Sequence, residues 1–201
     1  MKKLSLLITA VLISSALLAQ TGAVFGLKGG INLANWNTEG DEDGTDMKTG
    51  FHVGGLAHIH LAPQWALQPE LQFSTQGAEA DLGPLGEYTW NLSYLNVPVM
   101  VQYMFNNGFR LEAGPYVGFL VGANLEDDAG NEDDVDDEFK KVDVGVGFGL
   151  NYLTNSGFGF GGRYNLGLSD INEERTNKIQ NRVFQISVFY MFDAAHKAKS
   201  Q

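Results

Sequence analysis

The chain has 201 residues, no cysteine, and 24 acidic against 13 basic residues, for a formal net charge of -11. The missing cysteines exclude disulfides, thiolate metal sites and a lipid-modified N-terminal cysteine. The acidic balance argues against a nucleic-acid partner and against simple adhesion to anionic surfaces, and no composition break or linker marks a second domain.

Lys2 and Lys3 precede an apolar run from Leu4 to Leu18 that ends in small residues, the layout of a secretory signal peptide with cleavage expected after Ala19. That run is shorter than the ~20 residues of a spanning helix. Residues 1–19 are therefore read as a signal, 20–192 as one domain and 193–201 as a short polar tail. Removing Lys2 and Lys3 takes the formal charge from -11 to -13.

Eight segments then alternate apolar and polar at every residue, the period of a strand with two unlike faces. In the first, Phe25, Leu27, Ile31 and Leu33 oppose Gly26, Lys28, Gly30 and Asn32. In the second, Phe51, Val53, Ala57, Ile59 and Leu61 oppose His52, Gly54, His58 and His60. The third sets Trp65, Leu67, Leu71 and Phe73 against Gln68, Glu70, Gln72 and Ser74, with a local irregularity expected at Pro69. The fourth sets Leu95, Val97, Val99, Val101 and Tyr103 against Asn96, Met100 and Gln102. Phe109, Leu111, Val117, Phe119 and Val121 alternate with Arg110, Glu112, Gly114, Tyr116 and Gly118 in the fifth. The sixth runs from Val142 to Tyr152 around Asp143 and Asn151, the seventh from Phe158 to Leu168 around Arg163 and Asn165, and the last from Phe184 to Phe192 around Gln185 and Ser187.

Tight turns at Ala62–Gln64, Asn106–Gly108 and around Asn155 alternate with long polar loops at roughly 35–49, 76–87, 126–138 and 169–181. Short turns on one side and long loops on the other predict an all-β fold, an eight-stranded antiparallel up-and-down transmembrane β-barrel. An even strand count lets the first and last strands close, so that no unpaired edge faces lipid. Register tests the scheme, because antiparallel partners must share a face. Pairing Leu61 with Trp65, Phe105 with Phe109 and Tyr152 with Phe158 matches outward residues with outward residues. Parity fails once, where Trp90, Leu92 and Tyr94 fall on the inner face; a bulge near Tyr94 or a strand end above the membrane would account for it. Aromatics gather near the short turns, at Trp65, Tyr103, Phe105, Phe109, Tyr152, Phe158, Tyr190 and Phe192, as an interfacial girdle does.

Three bases, Lys28, Arg110 and Arg163, share the inner face with three acids, Glu70, Glu112 and Asp143. In a barrel this small the side chains just fill the interior, so an interlocked salt-bridge core is expected. His58 and His60 share that face and are weak metal candidates, because a site needs three or four convergent ligands; no cofactor is predicted. Nine acids lie between Glu126 and Glu138, and five more between Glu39 and Asp46. Asp41, Asp43, Asp127, Asp128, Asp133 and Asp134 make these loops candidate sites for divalent cations, although their spacing is too irregular for an EF-hand. Gly157-x-Gly159-x-x-Gly162 imitates a dinucleotide fingerprint, but it lies in an alternating strand with no helix after it, and its glycines are read as leaving lumen space. Asn91-Leu-Ser93 matches a glycosylation acceptor and is set aside. No serine is placed with a histidine at the loop mouth, so no acyl-transfer triad is legible and the chain is read as not an enzyme.

The Ala19-Gln20 end of the signal, the Gly26-Leu-Lys-Gly-Gly-Ile-Asn-Leu33 strand, Tyr94-Leu-Asn-Val-Pro98 and the closing Val188-Phe-Tyr-Met-Phe192 resemble the small outer-membrane β-barrel family of Gram-negative bacteria that includes the PorT-like proteins. The resemblance implies insertion by the outer-membrane assembly machinery, with Tyr190 and Phe192 in the insertion signal, although nine residues follow Phe192. It implies outer-membrane lipid and lipopolysaccharide as surroundings. The predicted function is a structural, envelope-integrity or surface-interaction role for a non-enzymatic barrel with a packed polar lumen and acidic extracellular loops. The alternatives are a narrow porin-like channel for small solutes and a soluble lipocalin-like ligand-binding barrel, whose apolar lumen would invert the pattern read here.

Overall fold

The computed structural model describes residues 23–38, 45–81, 83, 86–173 and 177–192. The signal segment, the polar tail, Asp41 and Asp43 lie outside the described residues. Eight long strands form the wall: β1 (Val24–Thr38), β2 (Lys48–Ala62), β3 (Trp65–Asp81), β4 (Glu87–Met104), β5 (Phe109–Asp127), β7 (Val142–Leu153), β8 (Phe158–Gly167) and β9 (Ile179–Met191). A three-residue strand, β6 (Glu132–Asp134), pairs with β5 outside the ring. Each wall strand pairs antiparallel with its neighbours in chain order, and β1 closes on β9 with Leu27 opposite Tyr190 and Ile31 opposite Ile186. The sheet is a closed barrel.

Side chains sort by parity. Leu27, Phe51, Leu71, Phe148, Phe160 and Val188 are among the large apolar residues that point outward and are exposed, while Lys28, Asn32, Glu70, Gln72, Arg163 and Gln185 are among the polar residues buried inside. A water-soluble barrel would reverse this, so the exterior is built for hydrocarbon. The apolar band ends in a chain of ring contacts beside the tight turns: Trp65–Tyr103 and Tyr103–Phe105 at 5.0 Å, Phe109–Tyr152 at 5.0 Å, and Phe158–Tyr190 at 4.8 Å.

The turns differ from expectation in detail. Leu61 is not the last partner of Trp65; Ala62 is, and a bulge between His60 and Ala62 leaves Leu61 outward without altering the register above it. Tyr152 pairs with Phe160 rather than Phe158, because the turn is cut back to Asn155–Gly157, where Thr154 N donates to Phe158 O at 2.8 Å. A two-residue shift keeps parity, which is why the pattern could not reveal it. Gly157 at φ +90 and Gly108 at φ +94 occupy the left-handed position that closes a three-residue hairpin loop. Register is the same on both sides of Pro69, so the irregularity expected there does not displace the strand.

The ring is lopsided. Strands β3, β4 and β5 have 17, 18 and 19 residues, against 12, 10 and 13 in β7, β8 and β9. A membrane crossing uses ~9 to 11 residues, so the first group stands well clear of the bilayer at the long-loop end. Much of the segment expected as a loop at 76–87 is hairpin: Gln76 to Asp81 pair with Glu87 to Leu92. The parity break has the same origin. Leu92 and Tyr94 do point inward and are fully buried, and the register shift opposite Ser93 and Tyr94 inserts the extra residue into β5, around Val121.

Candidate functional site: a filled lumen beneath an acidic crown

The lumen is stacked in layers whose chemistry changes with height. At the tight-turn end Val24, Leu56, Leu153, Phe189 and Met191 form a small buried apolar cluster. Above it Arg163 reaches across from β8. Its Nη1 and Nη2 donate to the two oxygens of Glu70 at 2.8 and 2.6 Å, and its Nε donates to Glu112 Oε1 at 2.7 Å. Gln68 and Gln72 also donate to Glu70, Gln102 donates to Glu112 Oε2 at 2.9 Å, and the Lys28 ammonium lies 3.7 Å from Glu70. Two cations thus face two anions, all almost wholly buried, with the carboxylate oxygens saturated by donors. The glycines on β7 make room: a Cβ on Gly149 would sit 2.7 Å from Glu112 Oε1.

The next layer is neutral. His52 Nδ1 lies 2.8 Å from Asn32 Oδ1 and its Nε2 lies 2.9 Å from Ser187 Oγ. Asn32 Nδ2 donates to Ser74 Oγ, Phe51 O and Thr75 O, and Gln185 Nε2 donates to Asn32 Oδ1 at 3.1 Å. Serine, histidine and asparagine in a row have the connectivity of a nucleophile, base and orienting group, which the sequence did not place together. Ser187 is 3 % exposed, His52 1 % and Asn32 0 %, so no substrate reaches the hydroxyl and the row is packing.

Asp143 does not join the charge cluster. Ser169 Oγ donates to its Oδ1 at 2.6 Å, while Tyr116 OH and Asn181 Nδ2 donate to Oδ2 at 3.2 and 3.1 Å. It stands opposite Gly118 whereas Arg110 stands opposite Asn151, eight residues lower on the same strand pair. That is roughly 26 Å at ~3.3 Å per residue. The six inner charges expected as one network are therefore a cluster of four, a carboxylate held by neutral donors, and Arg110 at the tight-turn end, which makes no ion pair among the described residues.

The long-loop mouth is sealed by a second apolar core that sequence reading missed. Val135 and Phe139 from the β5–β7 connection and Ile171 from the β8–β9 connection drop onto Trp36, Leu92, Tyr94 and Leu120. Trp36 meets Trp90 at 5.4 Å and Phe139 at 5.6 Å. The connection is tied down by Val135 N to Ala123 O, Lys140 N to Ile171 O, a hydrogen bond from Ala123 N to the Asp136 carboxylate, and a 2.7 Å ion pair between Lys140 and Asp170.

Around this plug the acids form an exposed crown, and several serve the backbone. Asp127 accepts from Asn131 Nδ2, Asn131 N and Ala129 N, which holds its carboxyl below the usual range; Asp128 accepts from Glu87 N and Asp134 from Asp136 N. Asp133 projects from β6 opposite Leu125. Among the described residues no three histidine, cysteine or acidic side chains converge as metal ligands. The His58 and His60 rings meet edge to face at 4.9 Å near the tight-turn end. Tyr190 packs outward between Phe158 and Phe192, and Phe192 N donates to Phe25 O, so both residues read as an insertion signal stand on the girdle at the seam. Of the decoy glycines only Gly159 leaves lumen space, which the Phe189 ring fills; Gly157 is in the turn.

A closed, apolar-sided, eight-stranded barrel with a polar interior is an outer-membrane β-barrel. A family model described as outer membrane protein beta-barrel domain matches residues 18–173, and the chain belongs to that family. It is a protein of the bacterial outer membrane, so the tight turns are periplasmic and the long loops extracellular. Among solved structures it is similar to Neisserial surface protein A, with a TM-score of 0.57 and 14 % identity over 85 % of this chain and 99 % of that one. It is also similar to Ail, the attachment invasion locus protein of Yersinia pestis, with a TM-score of 0.52 and 14 % identity over the same shares. Ail in complex with the heparin analogue sucrose octasulfate gives 0.51 and 13 %, over 85 % and 99 %. At such identities the likeness is one of fold. No curated protein sequence matches the chain.

Proposed function

We propose that this barrel neither conducts solutes nor catalyses a reaction, and that it serves envelope integrity or surface interaction through its extracellular crown. The observation that carries this reading is the filled lumen: apolar cluster, ion cluster, neutral hydrogen-bonded layer and apolar plug follow one another along the axis. A porin-like path would have to displace every one of them. A lipocalin-like ligand barrel is disfavoured too, since its cavity would be apolar and empty enough for a ligand. Reconstitution in a planar bilayer tests the reading: the expected result is electrical silence, and steady unitary openings would overturn it.

The crown's excess negative charge points to cationic partners. A polyanion such as the one bound to Ail would be repelled here. With no convergent ligand set among the described residues, the carboxylates are suited to loose bridging by divalent cations between the loops and neighbouring lipopolysaccharide. Calcium is expected to raise thermal stability and protect the loops from protease in lipopolysaccharide-containing bilayers. No change in either measurement removes the bridging idea. Insertion by the assembly machinery through Tyr190 and Phe192 belongs to the same proposal, with slowed assembly of Phe192→Ser as its check.

A further inference from the structure

Arg110 is 3 % exposed, yet among the described residues its guanidinium makes one weak hydrogen bond, to Met191 Sδ at 3.8 Å. Among the described residues no carboxylate lies within ion-pair distance of it. The nearest candidate along the inner face, Glu112, has both oxygens taken by Arg163 and Gln102, and Asp143 is about eight residues further up the wall. Glu112 attracts this guanidinium from two residues along the strand but does not pair with it, so its charge is only partly balanced at this depth. The space beside Arg110 is open: a cavity of about 370 Å³ at the periplasmic mouth is lined by Arg110, Asn106, Asn107 and Asn155 together with apolar residues that include Met104 and Leu153. Its wall is largely polar on the turn side, with the Phe109 and Tyr152 girdle rings, 5.0 Å apart, marking the level of the membrane interface.

We infer that this cavity is an anion site, and that it takes a phosphate group which completes the charge balance of Arg110. The planar guanidinium fork matches phosphate oxygens in a two-point contact, and the asparagine amides on the turns supply further donors. Such a group has two sources at this depth: a free periplasmic phosphate, or the headgroup of an anionic phospholipid in the inner leaflet. The site owes nothing to the acidic crown, which stands at the opposite end of the barrel.

The experiment measures the thermal unfolding midpoint of the full protein in an uncharged detergent, titrated first with inorganic phosphate and then with phosphatidylglycerol. The wild type, Arg110→Met, Arg110→Lys and a control at the opposite end of the barrel, the exposed Lys178→Met, are compared. The expected result is a saturable rise in midpoint for the wild type and Lys178→Met, a weaker rise for Arg110→Lys and none for Arg110→Met. Saturation with inorganic phosphate identifies a free anion; response to phosphatidylglycerol but not to phosphate identifies a headgroup. The inference is overturned by a wild type that responds to neither, or by Arg110→Met responding as the wild type does. Should Arg110→Met not fold, one equivalent of bound phosphorus per wild-type chain, from phosphate or lipid after exhaustive detergent exchange, and a reduced amount on Arg110→Lys decide the matter; no bound phosphorus overturns it.

Discussion

The barrel is closed twice, by opposite chemistry. In the middle, Arg163 binds Glu70 and Glu112 with every carboxylate oxygen engaged; at the extracellular mouth, Phe139, Val135 and Ile171 exclude water by packing on Trp36 and Leu92. The ionic layer is directional and intolerant, since removing one member strands the others. The apolar layer is built partly from loop residues, so it is expected to open locally before the wall does. A chain that needed only to fill space could have used either device. Using both places an ionic layer and an apolar layer in series along the axis.

The largest expected effect comes from breaking the ionic layer. Arg163→Met leaves Glu70 and Glu112 buried with Lys28 alone, and should cost ~3–5 kcal/mol, the range for stranding a buried charge. Urea unfolding in lipid vesicles measures it. Adding Glu70→Gln to Arg163→Met should recover part of the loss, because one anion then faces one cation; no recovery would mean that Arg163 acts by volume and not by charge. Phe139→Ala comes next. It removes a ring from a core, worth about 3 kcal/mol, but the cost should appear as faster proteolysis of the β5–β7 connection with the midpoint of barrel unfolding nearly unmoved. Such a variant should also stay silent in a planar bilayer, since the ion cluster beneath is intact. Gly149→Ala should cost ~1–3 kcal/mol by overpacking against Glu112, read from the same urea transition.

Much of this was legible in the sequence because the strand period is two and the solvent on one side is lipid. Alternation puts Lys28, Glu70, Glu112 and Arg163 on one face, and in the barrel they meet. What alternation cannot give is height along the axis: Asp143 and Arg110 have the right parity and the wrong level, so the balanced count of three acids and three bases conceals one carboxylate and one guanidinium that make no ion pair among the described residues. The plug was hidden for another reason. Val135, Phe139 and Ile171 are isolated apolar residues in polar segments, carrying no periodicity, and the parity break at Trp90, Leu92 and Tyr94 was the one signal pointing to them. That break marks where the lumen changes from polar to apolar.

The smallest expected effect separates the two closures by pH. Asp170 ties the β8–β9 connection to the β5–β7 connection through Lys140 at 2.7 Å. Partial burial opposes its ionisation, but the hydrogen bonds from Lys140 and from the Ile179 and Asn172 amides prevail, and its carboxyl sits below the ordinary range. A group whose folded value is depressed contributes stability above the unfolded value, about 4, and loses it as the pH falls through the folded one. The plug's tether should therefore hold at neutral pH and loosen only in stronger acid. The pair is partly exposed, so ~0–1 kcal/mol is at stake. Asp170→Asn should make loop proteolysis at neutral pH resemble that of the wild type in acid, while barrel unfolding stays put. If the whole barrel weakens in step with the loop, the two closures are one cooperative unit and not two.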